Sequence, residues 1–204
     1  MAREGIAYLT VCISMAVFFF AAGYGIVSAL FIVPLLFIIY FFRDPDRTPP
    51  PGEELLVSPA DGKVISIETV GPSPLGVSAT RISVFMSPLD VHVNRAPAAG
   101  TIERIEYARG RFKAAFDETA PHQNERNTFV LATHHGKIAF TQVAGWLARR
   151  IVCWKKPLDE VARGEKVGMI MFGSRVDLYL PSGMVPQVKL QDRVRAGETV
   201  IAKV

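Results

Sequence analysis

The chain is 204 residues long, 50% hydrophobic and 21% charged, with a formal net charge of +4, two cysteines and four histidines. This balance excludes a disordered tail, which lacks apolar residues to bury, and a disulfide scaffold, which needs many more cysteines. No basic run is interleaved with aromatics, so nucleic acid is not the expected partner; a modest basic excess beside an apolar segment fits an anionic lipid surface better.

Gly5 to Phe42 contains no charged residue. One helix of these 38 positions would run to about 57 Å against about 30 Å of hydrocarbon, so a single straight span does not fit. Gly23-Tyr24-Gly25 is the expected break, leaving Ile6 to Ala22 and Ile26 to Phe42 as runs of 17 residues, about 25 Å each. Two short spans and a re-entrant hairpin both satisfy this pattern. Pro34 predicts a kink in the second run. Arg3 precedes the segment, Arg43 and Arg47 follow it, and no basic residue lies between the runs, so both ends are expected on the cytoplasmic side. A secretory signal peptide is the competing reading, although Phe20-Ala21-Ala22 matches a cleavage site poorly and the second run would still hold the chain at a membrane. Residues 1–42 are therefore expected to be a membrane-anchoring helical hairpin at the cell membrane. Cys12 lies in the apolar segment and Cys153 beyond it, which excludes an internal disulfide, and Cys153 beside Trp154 reads as a small buried hydrophobe.

Residues 43–54, with Asp44-Pro45-Asp46-Arg47-Thr48-Pro49-Pro50-Pro51-Gly52, read as a stiff extended linker, because proline removes donors and restricts its neighbour. The remaining residues, 55–204, suffice for one domain with its own core. Within them, Gly62 to Val70, Arg81 to Met86, Gly100 to Ala108, Thr128 to Thr133, Gly136 to Val143, Val176 to Leu180 and Glu198 to Val204 are short, Val-, Ile- and Phe-rich and mostly bounded by Gly, Pro, Asp or Asn. This predicts a mainly β domain, a flattened barrel or sandwich. Val143 to Trp154 is readable as a short helix or another strand.

Turn chemistry refines the fold. Gln191-Asp192-Arg193-Val194-Arg195-Ala196-Gly197 resembles the Gly-Asp-x-Val-x-x-Gly edge of biotinyl and lipoyl carrier domains, with Gln191 where the first glycine would be, and Ser58-Pro59-Ala60-Asp61-Gly62 looks like the other edge of such a barrel. A carrier also needs a lysine at a hairpin tip with defined flanks, and neither Lys63 nor Lys189 has them.

Four local patterns are candidates for chemistry. Asp61 in Ala60-Asp61-Gly62 reads by itself as a turn residue. In Asp90-Val91-His92-Val93, a strand would put His92 and Asp90 on one face, which suits an acid-base group and a surface histidine equally. Asn124-Glu125-Arg126-Asn127 reads as a solvated loop. In Met169-Ile170-Met171-Phe172-Gly173-Ser174-Arg175-Val176-Asp177, Gly173 and Ser174 interrupt an apolar run, which taken alone is a bulge.

In order and spacing, these boxes together resemble the phosphatidylserine decarboxylase family in its short, membrane-associated form. The resemblance runs from Phe41-Phe42-Arg43-Asp44-Pro45 through Ser58 to Gly62, Asp90 to His92 with Asn94-Arg95-Ala96-Pro97, and Asn124 to Asn127, to Phe172-Gly173-Ser174. It implies self-cleavage between Gly173 and Ser174. The Ser174 hydroxyl attacks the Gly173 carbonyl, an ester forms by an N-to-O acyl shift, elimination leaves dehydroalanine, and hydrolysis with loss of ammonia yields a pyruvoyl group. Glycine leaves the attacked carbonyl unobstructed. The pyruvoyl would take the substrate amine as a Schiff base and act as the electron sink when carbon dioxide leaves, with no free cofactor. His92 is the expected acid that returns a proton, since histidine titrates near neutrality. Asp61 corresponds to the family's acid in the Asp-His pair that activates the serine. Asp90, Asn124 and Arg175 are supporting candidates, Arg175 as a partner for a lipid phosphate or as an exposed strand charge.

The chain departs from the long form of the family at Arg95, where a second histidine is assigned as the base for self-cleavage; arginine cannot serve as one. Either His92 takes both roles or His122 substitutes, while His134 and His135 read as hairpin-turn residues. The implied substrate is phosphatidylserine in an anionic membrane, converted to phosphatidylethanolamine on the cytoplasmic side. The cleaved chains are expected to remain together as a heterodimer, with higher association open. No metal-ligand spacing is present, so no metal is expected. The same chemistry on another serine phospholipid, such as an archaeal ether-linked one, and a non-enzymatic membrane-anchored adaptor with a lipoyl-like barrel are the alternatives.

Overall fold

In the computed structural model, which describes residues 1–110, 124–145, 150–171 and 174–204, the apolar N-terminal segment forms α1 (Gly5–Ala21), α2 (Gly25–Leu30) and α3 (Ile32–Phe41). The chain turns after α1 at Gly23, whose φ of +84° suits a residue without Cβ. The second break comes at Phe31, upstream of the expected kink. Pro34 then sits in the first turn of α3, where its missing N–H is one that the helix leaves unbonded anyway. α1 folds back on the other two: Ser28 Oγ donates to the Ala16 carbonyl at 2.8 Å, Cys12 Sγ to the Phe31 carbonyl at 3.4 Å, and Ala2 N to the Phe42 carbonyl at 2.8 Å. Phe19 stacks on Phe31 and Tyr8 on Phe42. Among the described residues, no helix is long and apolar enough to cross a membrane.

Met1–Asp46 and Arg47–Val204 are separate compact units, and the second is built of strands. In chain order these are β1 (Leu55–Val57), β2 (Gly62–Val70), β3 (Ala79–Met86), β4 (Val93–Arg95), β5 (Gly100–Ala108), β6 (Arg126–Thr133), β7 (Gly136–Ala144), β8 (Ile151–Cys153), β9 (Glu160–Val161), β10 (Lys166–Ile170), β11 (Ser174–Leu180), β12 (Val185–Pro186), β13 (Arg193–Val194) and β14 (Val200–Lys203). An eight-stranded curled sheet runs β13-β2-β3-β11-β7-β6-β5-β9, and two three-stranded sheets run β1-β14-β12 and β4-β10-β8. The ladders among the described residues are antiparallel. A mainly β domain is therefore what the sequence folds into.

Period-two alternation explains the core. Val64, Ile82, Val84, Met86, Ile102, Phe129, Leu131, Ile138, Phe140, Val176, Leu178 and Leu180 turn to one face of the large sheet and form one apolar cluster. Phe129 and Phe140, opposite each other in the β6–β7 ladder, stack at 4.7 Å. Two turn residues fix the edges. Gly62 has φ +148°, and a Cβ there would lie 2.1 Å from the Phe85 carbonyl oxygen, so Ala60-Asp61-Gly62 admits only glycine at its end. Gln191 adopts φ +75°, the conformation for which related turns carry glycine.

Two expectations are corrected. Met169 to Asp177 is not one bulged strand: β10 belongs to the β4-β10-β8 sheet and β11 to the large one, so the chain changes sheets between Ile170 and Ser174. Cys153 is exposed rather than buried, with Sγ donating to the Lys155 carbonyl at 3.2 Å, because β8 lies at the edge of its small sheet. The stretch from Val143 to Trp154 contributes the end of β7 and all of β8; residues 146–149 lie outside the described residues. The proline-rich segment contains neither helix nor strand and its end is held by Arg163, whose guanidinium donates to the carbonyls of Pro50 (2.5 Å), Gly52 and Leu55 (2.9 Å).

Candidate active site

β11 lies between β3 and β7, and its first residue, Ser174, is fully buried. Ser174 pairs with Met86 on β3 and with Ala144 on β7, and alternation puts its side chain on the same face as Val176 and Leu178. Its hydroxyl donates to Met86 Sδ at 3.3 Å. Asn94 on β4 donates Nδ2 to the same sulfur at 3.6 Å, and its Oδ1 accepts from Gln142 Nε2 at 2.9 Å. Gln142 Oε1 in turn accepts from Asn127 Nδ2 at 3.3 Å. Asn94, Gln142 and Asn127 are all buried, so an amide network crosses the apolar face beside the serine. Asn124 donates Nδ2 to the Ala144 carbonyl at 2.7 Å, and so fixes the backbone directly opposite Ser174.

His92 is fully buried, not a surface histidine. Its Nδ1 lies 2.9 Å from the Asp90 backbone carbonyl. A carbonyl can only accept, so Nδ1 carries the proton and Nε2 is left as the atom for acid-base work. The His92 carbonyl accepts from Ile170 N at 3.3 Å, which seats the residue against the end of β10, just before the sheet change. Asp90 and His92 do not share a strand face as expected. Asp90 sits in a turn before β4, where Oδ2 accepts from Ser87 N at 2.8 Å and Oδ1 lies 3.4 Å from Arg193 Nη1, because a carboxylate satisfies free turn N–H groups readily.

Asp61 is buried at the end of the β1–β2 turn. Its Oδ1 accepts from Ala196 N at 2.7 Å and its Oδ2 pairs with Arg47 Nη2 at 3.0 Å, while Arg47 Nη1 reaches Glu198 at 2.7 Å. Burial holds the Asp61 carboxyl above the ordinary carboxylate range; the Ala196 N–H and Arg47 pull it down, and the charge of Asp90 adds to the rise. Arg95 is buried, with Nη1 donating to the Gly164 carbonyl at 2.9 Å and its backbone N to Pro59 O at 3.0 Å, tying the two sequence boxes together. His134 and His135 occupy the exposed turn between β6 and β7. His122 and Gly173 lie outside the described residues. Arg175 is neither an exposed charge nor turned to the site. It is buried on the opposite face from Ser174, because Asp177, two residues on, shares that face and neutralises it.

Gln142 and Met86 are not among the sequence candidates, and Asn127 enters there only as the end of the Asn124–Asn127 box, yet the sequence carries a further signal for Gln142 and Asn127. Gln142 alternates with Ile138 and Phe140, and Asn127 with Phe129 and Leu131, so each is a polar residue on a core-facing register. Gln142→Leu keeps the volume but leaves Asn94 Oδ1 and Asn127 Nδ2 without these partners. Such a loss costs about 1–3 kcal/mol, and thermal unfolding is expected to show Tm lower by roughly 4–10 °C.

The profile of the family described as phosphatidylserine decarboxylase matches residues 35–202. The chain belongs to the phosphatidylserine decarboxylase family. It is similar to the phosphatidylserine decarboxylase proenzyme of Desulfotalea psychrophila, with 44% identity over 206 residues covering 100% of this chain and 96% of that one. The proenzyme of Pelobacter propionicus is 48% identical over 86% of this chain and 80% of its own, and that of Nitratidesulfovibrio vulgaris 43% identical over 98% and 93%. A pyruvoyl group at position 174, which the family resemblance implies, would meet a donor that the described residues leave weakly engaged. The Asn94 amide ends on a thioether sulfur, a weak acceptor, so its donor capacity would be available to a ketone at position 174. Among the described residues, no group of His, Cys, Asp or Glu could hold a metal ion.

Proposed function

We propose that this chain is a phosphatidylserine decarboxylase made as a proenzyme, which cuts its own backbone between Gly173 and Ser174 and converts residue 174 to a pyruvoyl group. The observation that carries this reading is a fully buried serine hydroxyl at the first residue of a central strand, preceded by glycine and flanked by a buried amide network. A hydroxyl shielded from water, with the adjacent carbonyl free of a side chain, suits intramolecular acyl transfer over hydrolysis. Once formed, the pyruvoyl supplies the electron sink for loss of carbon dioxide from a serine headgroup. The chain's own residues do the rest: His92, as an imidazolium whose Nδ1–H is held by the Asp90 carbonyl, delivers a proton from Nε2, and Asn124, acting through Ala144, sets the backbone beside residue 174. Asn94, held by Gln142, shares the Met86 sulfur with the Ser174 hydroxyl and so places an amide donor beside position 174. Asp61, paired with Arg47, is the acidic residue assigned to maturation.

The topology supports a cleaved enzyme that stays in one piece. The small chain, 31 residues from position 174, would carry β11, held between β3 and β7, together with β13 on β2 and β14 on β1. The cleaved products are read as a heterodimer on a biotinyl- or lipoyl-type barrel. The first unit is read as a membrane anchor with both ends on the cytoplasmic side. Val11, Val17, Phe18, Phe20, Ile26 and Val33 are all more than half exposed around its helices, too much apolar surface for water. A lipid substrate stays in the bilayer, so an anchored site searches in two dimensions.

Intact mass of the purified protein is expected to show a large fragment ending at Gly173 and a small one with a blocked N-terminus, together releasing carbon dioxide from phosphatidylserine in anionic vesicles. One continuous chain, inactive on serine lipids, would overturn the reading in favour of a membrane-anchored adaptor. Activity confined to ether-linked serine lipids would change only the substrate.

A further inference from the structure

β11 has a second buried face. Opposite Ser174, Val176 and Leu178, it carries Arg175, Asp177 and Tyr179, exposed by only 3%, 0% and 7%. Arg175 Nε donates to Asp177 Oδ1 at 2.5 Å, and Nη2 donates to Ser83 Oγ on β3 at 2.9 Å. In the ladder Arg175 stands opposite Phe85 and Asp177 opposite Ser83, so the guanidinium reaches diagonally across two rungs. Such a contact specifies register, because a slip by one residue would turn the charge into the apolar cluster. A cavity of about 550 Å³ on this face is lined by Arg81, Arg175, Glu68 and Ser66. Glu68 pairs with Arg81 and Asp177 with Arg175, so the cavity offers no net positive charge to a lipid phosphate.

We propose that the Arg175–Asp177 pair, tethered to Ser83, is a positioning clamp that holds residue 174 at the site after the chain has been cut. The inference rests on cleavage at Gly173–Ser174. Before the cut, residue 174 is anchored from both sides. Afterwards it is the first residue of the small chain, and terminal residues fray unless tied down. The side chain nearest that new end is Arg175, and Ser83 belongs to the large fragment, so the tether crosses from one cleaved chain to the other. Asp177 keeps the guanidinium neutralised where burial would otherwise expel it.

The test compares wild type with Arg175→Leu/Asp177→Leu, which removes the pair without stranding a buried charge, with Arg175→Lys, and with Ser83→Ala, which removes only the tether. Each is purified and scored by intact mass, by kcat and KM per small chain, and by hydrogen exchange of the amides at positions 175 and 176. The double variant is expected to split and to retain its small chain. Its kcat should fall at least about tenfold with KM little changed, the pattern of a misplaced reacting group, and exchange should be faster at both amides. Ser83→Ala should show the same signs more weakly, and Arg175→Lys should recover part of kcat. A processed double variant or Ser83→Ala with wild-type kcat and exchange overturns the clamp. So does a folded double variant that cannot split, which would move the role of the pair to before the cut. Failure of wild type itself to split would instead sink the decarboxylase reading.

Discussion

Ser174→Ala is expected to give a single uncut chain with no measurable release of carbon dioxide from phosphatidylserine. The hydroxyl is the group that must attack, and its only described bond is to the Met86 thioether, a weak acceptor. Its removal therefore costs little stability. Val176, Leu178 and Leu180 still pack, and the ladders to β3 and β7 still close, so the variant should unfold within a few degrees of wild type. This combination separates chemistry from folding: a misfolded variant would lose both, whereas a folded, uncut and inactive one isolates the hydroxyl. Splitting in the Ser174→Ala variant would locate the cut elsewhere, and activity without splitting would remove the need for a ketone. Either result ends the proposed mechanism.

The long strands were readable because each has one face in the core and one toward polar neighbours. Gly62–Val70 and Gly100–Ala108 match their expected limits, since turn residues bound both and tertiary contacts have little left to decide. β4, β8, β9, β10, β12 and β13 are two to five residues long. A segment that short has too few positions to display a period, and its state is set by partners far away, as β4 is by β10. The sheet change before Ser174 was hidden for a related reason. Val167, Met169, Ile170, Met171, Val176 and Leu178 are all buried, so one apolar run spans two strands of different sheets.

The site was legible where a side chain answers to its own neighbours and illegible where it answers to another strand. Ser174 and Gly173 stand out because small and polar residues interrupt an apolar run. Asn94 lies inside a box already noted, but its partner Gln142 comes from β7, and only the core register of that strand betrays it. In the sequence Arg47 is only a positive charge flanking the apolar segment. Its pairing with Asp61 brings it against the turn before β2, which no local pattern encodes. Alternation alone puts Arg175 in water, as on a sheet with one buried face, whereas both faces are buried along β11.

His92→Ala is expected to leave splitting intact and to reduce carbon dioxide release by about 10²–10⁴-fold, the usual contribution of a positioned general acid. The separation of the two steps requires a base for self-cleavage other than His92, while the ring's bonding suits proton delivery. The Asp90 carbonyl holds the Nδ1 proton, so only Nε2 exchanges protons. Asp61, assigned to maturation, makes its described bonds to Ala196 and Arg47 instead. His92→Gln is the sharper variant. Its amide can still donate to the Asp90 carbonyl and fills much of the buried space, but it carries no titrating proton. It should therefore retain fold and splitting while losing nearly as much decarboxylation as His92→Ala. Intact mass and single-turnover decarboxylation on the same preparations decide the matter. Loss of splitting in both variants would make His92 the base for self-cleavage as well, taking the role that Arg95 cannot fill. Splitting with full activity in His92→Gln would remove the residue from the proton path altogether.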